Sequence, residues 1–425
     1  MTRDSVDQPA PAGRNMMMAM LVICYTLNFV DRQIIGILAE SIKLDLKLTD
    51  SELGWMGGTA FALFYTFLAI PIAMLADRRN RSWIITIGLT LWSAATAACG
   101  LAQNFWQLFL ARMSVGVGEA GGVAPAYSLI SDLYPARQRS RALAIFSLGI
   151  PFGSAFGVLF GGLIAAQIDW RYAFLIIGLA GIVFAPLFKY FVRDPGHGRF
   201  DEGPRASAPS LGLVFRTIAR KPAFWLLGFG AGTASLVSYG LAFWIPSFLA
   251  RSYGLELEER SWIFAAVLLV GGSAGIWFGG VAGDRLGNTH LRGFALVPAI
   301  AFAVTLPAYL LAFSVESLWI STLLFIIPTA LGLAWIGPVV NAVTRLVPPE
   351  MRATASALFL FINNLTGLGL GSTVIGIISD ALTARYAEEA LRYSAMATTT
   401  LYALAALLML LASRRLARDC SPAAG

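Results

Sequence analysis

The chain has 425 residues, of which 57% are hydrophobic and only 13% are charged, and its mean hydropathy is +0.70. This composition excludes a soluble domain, because a core of that size cannot bury so much apolar surface. The net charge of +7 would indicate a nucleic-acid partner in a soluble protein, but in a membrane protein basic residues report topology first. We therefore expect an integral membrane protein with no nucleic-acid partner.

Twelve apolar stretches follow one another along the chain. Each has about 20 residues or more, which as a helix is enough to cross a bilayer core about 30 Å thick. The first stretch lacks a small-residue cleavage site, so we interpret it as a retained span and not as a signal peptide. The sequence predicts helices at 15–38, 52–75, 82–101, 105–128, 142–166, 170–192, 222–250, 261–283, 292–313, 317–344, 354–379 and 391–413.

The charged loops indicate how these helices are organised. Lys and Arg are concentrated in the N-terminal tail 1–14, in the C-terminal tail 414–425 and in the loops on the same side, which places both termini in the cytoplasm. The interval 193–221 is polar and rich in Pro, Ser and Ala, as is typical of a linker. It separates two predicted six-helix bundles, 15–192 and 222–413.

Two loop motifs recur in the two halves. The motif at 73–81, after the second helix, matches the motif at 280–287, after the eighth, with Asp and Arg at the same places. The motif at 135–142 matches 348–355 at a similar offset. Repeated patterns in corresponding loops predict a duplicated unit. The fold class we expect is an all-α membrane protein with two pseudo-symmetric bundles of six helices.

This arrangement resembles the major facilitator superfamily. The resemblance implies a central cavity between the bundles that opens to one side of the membrane at a time, with the substrate held near the middle. It also implies a gating role for loop residues that resemble a cytoplasmic charge latch, namely Asp77, Arg78, Arg81, Asp284 and Arg285. Positive-inside topology is the alternative for the arginines, but it does not explain an Asp at the same place in both halves.

Within the superfamily, Asn28–Arg32 in helix 1 and Arg112–Ala120 in helix 4 resemble the Spinster-like branch. Members of that branch move sphingosine phosphate or lysophospholipids. The same motifs also resemble the anion:cation symporters that carry sugar acids and sialic acid. Both substrate classes therefore stay open at this point.

Four charged residues lie inside predicted spans and away from the span ends: Asp31 and Arg32 in helix 1, and Arg112 and Glu119 in helix 4. A charge within a spanning helix costs about 2.5–3.5 kcal/mol on insertion scales, so a functional site is the first interpretation. Counting residues from the helix ends puts Asp31 and Arg112 at one depth and predicts an ion pair between them. Glu119 should lie a layer deeper, and Arg32 should point toward the cavity or the outer rim.

We assign roles to these four residues from their chemistry. Arg112 and Arg32 are candidates to bind an anionic headgroup, because a guanidinium can donate two parallel hydrogen bonds to a phosphate or carboxylate. Asp31 and Glu119 are candidates for proton coupling. Burial raises the pKa of a carboxyl group whereas a neighbouring Arg lowers it, so the two acids should favour different protonation states. The alternative is that Asp31 and Arg112 only fasten helix 1 to helix 4.

Helices 7 to 12 contain no ionisable residue away from their ends, so their side of the cavity should be apolar. Tyr239 and Asn363 are candidates for substrate contact. Further candidates in these helices are Phe243, Trp244, Trp335, Phe361 and Asn364. A charged half facing an aromatic half favours an amphiphilic anion such as a lysophospholipid, although packing is the ordinary role of each of these side chains.

Glycines recur every four residues in helix 5, at 149, 153, 157 and 161, and Gly116 and Gly118 precede Glu119 in helix 4. Close packing between helices explains both sets. An antiporter signature in helix 5, or room for solvent beside Glu119, is the alternative.

Other classes of protein fit less well. The two histidines lie in predicted cytoplasmic loops, there is no Walker-type phosphate loop, and the three cysteines have neither metal nor disulfide spacing. We therefore expect no enzyme activity, no metal and no cofactor, and a gradient as the energy source. A channel and a multidrug exporter are the rival transport functions, and an exporter of cations would bind them at acids. The compact loops favour a bacterial inner membrane, and we expect a monomer.

Overall fold

A computed structural model of the chain describes residues 13–196 and 211–420. The described residues form helices and no strands. They divide into two compact units, and the second unit takes a short segment from the first half of the sequence. Unit 1 is Met1–Leu46 with Ala60–Arg205, and unit 2 is Lys47–Thr59 with Ala206–Gly425.

The described residues of the first half of the chain form ten helices. They are numbered here in chain order, and the third lies in unit 2. Their bounds are α1 Arg14–Ile37, α2 Ala39–Leu46, α3 Asp50–Gly57, α4 Thr59–Ala76, α5 Arg81–Cys99, α6 Phe105–Glu119, α7 Val123–Leu133, α8 Ala136–Ser147, α9 Gly149–Gln167 and α10 Trp170–Phe191.

The second half contains nine α-helices among its described residues, together with two short 3₁₀ turns at Pro349–Met351 and Ala387–Glu389. The α-helices are α11 Leu211–Ala219, α12 Pro222–Tyr253, α13 Leu257–Thr289, α14 Gly293–Ser314, α15 Leu318–Leu333, α16 Ile336–Arg345, α17 Arg352–Tyr386, α18 Ala390–Thr399 and α19 Leu401–Asp419.

Each predicted span coincides with one of these helices or with two consecutive ones, so the prediction of an all-α protein with twelve spans is confirmed. Ten stretches of the described chain are long and apolar enough to cross a membrane. One of them, Thr354–Asp419, holds two predicted spans. The fourth span is interrupted at 120–122, so α6 and α7 are each shorter than one crossing. Two consecutive glycines at the break have low helix propensity.

The same helix pairs pack together inside each unit. In unit 1, α1 packs on α9 and α5 packs on α10; these are the first and fifth spans and the third and sixth. In unit 2 the corresponding pairs are α12 with α17 and α14 with α19. Backbones approach closely at the first pair of each unit. A Cβ at Gly153 would stand 2.4 Å from the Thr26 carbonyl, and one at Gly371 would stand 2.5 Å from the Leu236 carbonyl. Packing therefore explains the glycines of the fifth predicted span, which lie in α9.

The structure differs from the predicted boundaries at three places. Residues 211–219 of the predicted linker form α11, and α19 continues through the start of the predicted C-terminal tail to Asp419. Residues 47–59 belong to unit 2 and not to the first bundle. The tail residues 1–12, the linker residues 197–210 and the last five residues lie outside the described part of the chain.

Candidate functional site

The four charged residues of the predicted centre all lie in unit 1, on α1 and α6. Asp31 is 3% exposed, Arg112 is 1% exposed and Glu119 is fully buried. The Arg32 side chain is 10% exposed. Glu119 is the last residue of α6, directly before the interruption of the fourth span. The structure therefore gathers all four charges in one low-dielectric region, where they must satisfy one another.

Arg32 and Glu119 form the ion pair of this cluster. The Arg32 Nε donates to Glu119 Oε2 at 2.7 Å. The guanidinium carbon also lies 4.6 Å from the ring centroid of Tyr65, 5.0 Å from that of Phe61 and 5.1 Å from that of Phe29. We expected Arg32 to point toward the cavity or the outer rim and did not foresee this partner, which its long side chain reaches across the depth that separates the two residues.

The predicted ion pair between the side chains of Asp31 and Arg112 is wrong. Arg112 Nη1 instead donates to the backbone carbonyl of Asp31 at 3.2 Å, and its guanidinium lies 5.6 Å from the Phe61 ring. Counting along the helices placed the two residues at one depth correctly, but depth does not determine the rotation of α1 about its axis. That rotation turns the Asp31 carboxyl toward α5.

Two residues of α5 that we did not single out from the sequence stand beside Asp31. The hydroxyl of Thr96 and the indole N–H of Trp92 face its carboxyl without completing a hydrogen bond. On α1, the side chain of Asn28 similarly lies beside Glu119. A signal existed for the first two, since a four-residue spacing puts them on one helix face. A Thr and a Trp in an apolar helix nevertheless look like ordinary packing residues.

Several buried polar atoms of this cluster have no hydrogen-bond partner among the described residues. They include Asn28 Oδ1, Asp31 Oδ1, Arg112 Nε and Glu119 Oε1. Each such atom costs about 1–3 kcal/mol in a protein interior, so native proteins keep few of them. A small cavity of about 10 Å³, lined by residues that include Asn28 and Trp92, lies next to the cluster and has room for about one water molecule. The cluster therefore keeps hydrogen-bonding capacity that its own residues do not use.

The glycines before Glu119 serve packing. A Cβ at Gly116 would lie 2.4 Å from the backbone oxygen of Phe61, and a Cβ at Gly118 would lie 2.5 Å from the backbone nitrogen of Trp92. Both contacts are with backbone, which cannot move aside as a side chain can. These glycines bring α6 close to α4 and α5 and so hold the charged cluster together.

The candidates of the second half lie in unit 2. Asn363 is 3% exposed, and its Oδ1 accepts a hydrogen bond from Ser235 at 2.8 Å, which ties α17 to α12. Tyr239 is half-buried. Phe243 and Trp244 are buried, and the Trp244 indole donates to the Ser372 carbonyl at 2.8 Å. Packing accounts for the two aromatic residues, and a substrate role for Tyr239 and Asn363 stays a prediction.

Arg81, a gating candidate, is completely buried inside unit 1. Its guanidinium pairs with Asp132 and, at 2.5 Å, with Asp194, and it donates to the Ser128 hydroxyl at 2.9 Å and to the Gly196 carbonyl at 2.7 Å. Burial alone would raise the pKa of Asp194, but hydrogen bonds from Arg81 and its charge lower that pKa below its ordinary value. This network joins the third and fourth spans to the chain that leaves the sixth.

The other gating candidates are exposed at the cytoplasmic ends of their helices: Asp77 and Arg78 in unit 1, and Asp284 and Arg285 in unit 2. Within the described residues of its own unit, none of these four side chains forms an ion pair. Side chains without an ion-pair partner in their own unit suit a charge latch, and the gating role stays a prediction.

Unit 2 contains a further buried ion pair, at the helix ends opposite the cytoplasmic ones, which sequence reasoning missed. Both Arg251 terminal nitrogens donate to the Asp50 carboxylate at 2.7 Å, and Ser379 donates to the same carboxylate at 2.7 Å. The Asp380 carboxylate accepts from the backbone N–H groups of Asp50 and Ser51 at 3.1 and 2.8 Å. From sequence, Asp50 and Arg251 look like unrelated charges of two outer loops.

Close backbone contact reinforces this pair. The Ser372 hydroxyl donates to the Gly54 carbonyl at 2.8 Å, and a Cβ at Gly54 would lie only 2.6 Å from the Ser372 carbonyl oxygen. The backbone of α3 is thus matched closely to α17. This match is the physical reason why residues 47–59 group with unit 2 and not with the bundle that precedes them in sequence.

Comparison with known proteins agrees with this architecture. A family model of the Major Facilitator Superfamily matches residues 21–372. The chain therefore belongs to that superfamily of membrane transporters, and the predictions of a transporter in place of an enzyme, and of an integral membrane protein, are confirmed.

The relatives narrow the assignment. An MFS-type efflux pump of Mycolicibacterium smegmatis is 34% identical over 424 residues, covering 98% of this chain and 96% of the relative. Human protein spinster homolog 1 is 31% identical over 384 residues, covering 85% of this chain and 72% of the relative. A solved bacterial homologue of the human lysosomal transporter Spinster, in an inward-facing and unoccupied conformation, is 30% identical with a TM-score of 0.87, and the alignment covers 98% of this chain and 100% of that one.

These likenesses confirm the Spinster-like branch that the helix 1 and helix 4 motifs indicated. The chain is a Spinster-like transporter of the Major Facilitator Superfamily, and such transporters bind small-molecule substrates. Its bacterial relatives support the inner membrane as its location.

Proposed function

We propose that this chain is a secondary active transporter that moves an anionic amphiphile, of the lysophospholipid or sphingosine-phosphate type, by alternating access with proton coupling. The observation that carries the proposal is the buried cluster on α1 and α6, where two arginines lie against aromatic rings beside two acids.

The arginines suit an anion with several acceptor oxygens. Arg112 keeps its Nε without a partner among the described residues and offers one Nη only to a backbone carbonyl. A phosphate or carboxylate can accept two parallel hydrogen bonds from such a fork. Binding an anion there would also offset the burial of a positive charge, which is costly in a membrane interior.

The surroundings of the arginines suit a ligand that is also apolar. Phe29, Phe61 and Tyr65 lie around Arg32, so a headgroup that reaches the guanidinium meets aromatic surface at once. In unit 2, Tyr239 and Asn363 remain our candidates for contact with the rest of the ligand. An amphiphile combines the two chemistries, whereas a sugar acid has no acyl chain to bury.

Proton coupling follows from competition for Arg32. A substrate anion that takes over Arg32 would release Glu119, and a fully buried carboxylate without its partner favours the uncharged form. Proton uptake by Glu119 would thus accompany substrate binding. Asp31, with one carboxyl oxygen unpartnered beside Trp92 and Thr96, is the second acid of this exchange.

Reconstitution into liposomes tests the proposal. A fluorescent anionic lysophospholipid, a labelled sugar acid and a cationic dye are offered in turn, with and without a pH gradient, and lipid transfer is read by extraction with albumin. We expect saturable transfer of the lysophospholipid. Because a charge-assisted hydrogen bond contributes about 1.5–3 kcal/mol, Arg32→Gln and Arg112→Gln should each lower transport about tenfold or more.

Arg292→Gln, at an exposed cytoplasmic position, is the matched control and should transport at the rate of the unaltered chain. A folded Arg112→Gln protein that transports at full rate would overturn the proposal. Transport of the sugar acid alone would replace it with the symporter function.

A second function, efflux of other amphiphilic compounds, has one observation in its favour. The mycobacterial relative, which aligns with 98% of this chain, is an MFS-type efflux pump. The two arginines of the charged cluster predict that this chain, as an efflux pump, would carry anionic compounds. Preferential transport of the cationic dye would instead favour a conventional multidrug exporter.

A further inference from the structure

A groove with a basic rim opens on unit 2, between the start of α12 and the end of α19. It encloses about 730 Å³, within the range of small-molecule binding sites. Both helix ends lie on the cytoplasmic side of the membrane in the topology of this fold. We call this surface the basic groove; it is formed by Trp225, Leu226, Leu411, Arg414, Arg415 and Arg418.

The three arginines of the basic groove are exposed and unneutralised. None of them forms an ion pair or hydrogen bond with another residue in the described ranges 13–196 and 211–420. The nearest acid in sequence, Asp419, is occupied elsewhere, because its carboxylate accepts the Ala223 N–H at 2.8 Å and its carbonyl accepts from Lys221 at 2.7 Å.

The spacing of the arginines concentrates positive charge. Arg414 and Arg418 are four residues apart and Arg415 and Arg418 are three apart, so they share one face of α19. Like charges at these spacings destabilise a helix unless an anion lies between them. Positive-inside topology requires basic residues in this part of the chain but does not require all three to line one groove.

The rest of the groove is apolar and aromatic. Trp225 stacks on Phe229 with ring centroids 6.2 Å apart and meets Phe215 of α11 edge to face. Leu213 and Phe215 are exposed on α11, which also carries the exposed Arg216. A short helix with exposed apolar and basic residues is typical of a segment at the membrane surface. The groove therefore lies where lipid headgroups meet acyl chains.

We propose that the basic groove binds the phosphate headgroup of an anionic phospholipid from the cytoplasmic leaflet, with its acyl chains along Leu411 and Trp225. The lipid bridges α12 and α19 and stabilises their contact. This site is separate from the charged cluster of unit 1, and the bound lipid is a structural partner and not the transported substrate.

Native mass spectrometry and thermal unfolding of the purified full chain in detergent test the proposal. Phosphatidylglycerol and phosphatidylcholine are compared as added lipids. We expect phosphatidylglycerol to bind and to raise the unfolding temperature, and phosphatidylcholine to do neither. A combined Arg414→Gln, Arg415→Gln and Arg418→Gln variant should bind phosphatidylglycerol about a hundredfold more weakly, from the contribution of each arginine near an anionic headgroup.

The matched control removes the same charge from exposed cytoplasmic arginines outside the groove, as Arg79→Gln, Arg193→Gln and Arg292→Gln. It should keep the binding of the unaltered chain. An equal loss in control and groove variants would show a diffuse electrostatic effect and overturn the site. Equal stabilisation by inorganic phosphate or glycerophosphate would overturn the lipid as the ligand. If the triple variant does not fold, Arg418→Gln alone should weaken binding several-fold, and unchanged binding would refute the proposal.

Discussion

Replacing either partner of the Arg32–Glu119 pair should destabilise the protein, but by amounts that respond differently to pH. The perturbations are Glu119→Gln, Arg32→Gln and the double variant. Each single change leaves one buried charge without its counter-ion, whereas the double variant leaves two neutral side chains that can still share a hydrogen bond. A double-mutant cycle therefore isolates the interaction between the two charges.

The structure indicates the sizes of the two effects. Removing one partner of a buried pair costs about 3–5 kcal/mol. In Glu119→Gln, the three aromatic rings within 5.1 Å of the Arg32 guanidinium remain, and their cation–π contacts, about 0.5–2 kcal/mol, leave the stranded charge partly compensated. In Arg32→Gln, the fully buried Glu119 keeps only the Asn28 side chain beside it and the weaker attraction of the Arg112 charge. We expect a loss of about 2 kcal/mol for Glu119→Gln and about 4 kcal/mol for Arg32→Gln near neutral pH.

The two variants also differ in how they can lose the stranded charge. Glu119 can bind a proton when Arg32 is absent, but the guanidinium of Arg32 keeps its charge at any ordinary pH. Lowering the pH from about 8 to about 5 should therefore reduce the cost of Arg32→Gln and leave the cost of Glu119→Gln unchanged.

The assay is the free energy of unfolding in mixed micelles, obtained by titrating dodecyl sulfate and following tryptophan fluorescence. The control is Arg171→Gln, which removes a half-exposed ion pair to Asp45 of the same 2.7 Å length. It should cost less than about 1 kcal/mol. A coupling energy below about 0.5 kcal/mol, or equal pH dependence in the two single variants, would refute the assigned pairing.

Two more predictions concern the other ion pairs. Asp50→Asn should loosen the segment 47–59, because it breaks the two-pronged contact with Arg251; faster hydrogen exchange confined to that segment would support this, and unchanged exchange would oppose it. Asp194→Asn should lower stability at about pH 7 and lessen the further loss in acid, because a lowered pKa contributes stability that vanishes as the pH falls through it. The check is unfolding at several pH values, where equal acid sensitivity of the two proteins would contradict the role of Arg81 as the partner.

Much of the fold followed from one-dimensional features. Runs of about 20 apolar residues have one stable arrangement in a bilayer, since a helix alone satisfies its backbone hydrogen bonds there. The asymmetry of Lys and Arg between loops predicted the topology, and the repeated loop motifs predicted the duplication that recurs in the helix pairs of both units. Even the packing role of Gly153 could be expected, because glycine at four-residue spacing is typical of close helix approach.

The membership of the charged cluster was also predictable, since charges inside a membrane are rare enough to stand out. The pairing within it was not. Asp31 and Arg112 share a depth, but the rotation of α1 turns the Asp31 carboxyl to Trp92 and Thr96, and the reach of Arg32 gives it Glu119. Rotation depends on how several helices pack at once, and no spacing within one helix reports it.

The sequence by itself determined that the chain lies in a membrane, the number and direction of its spans, and the four charges inside them, because each depends on local hydrophobicity and charge. Only the tertiary structure decided that Asp50 meets Arg251 and that residues 47–59 join unit 2. The Asp50–Arg251 contact joins residues 201 positions apart, and the contact between Gly54 and Ser372 joins residues 318 positions apart. Their strength comes from burial and from the match of one surface to another, which exist only after the helices have packed.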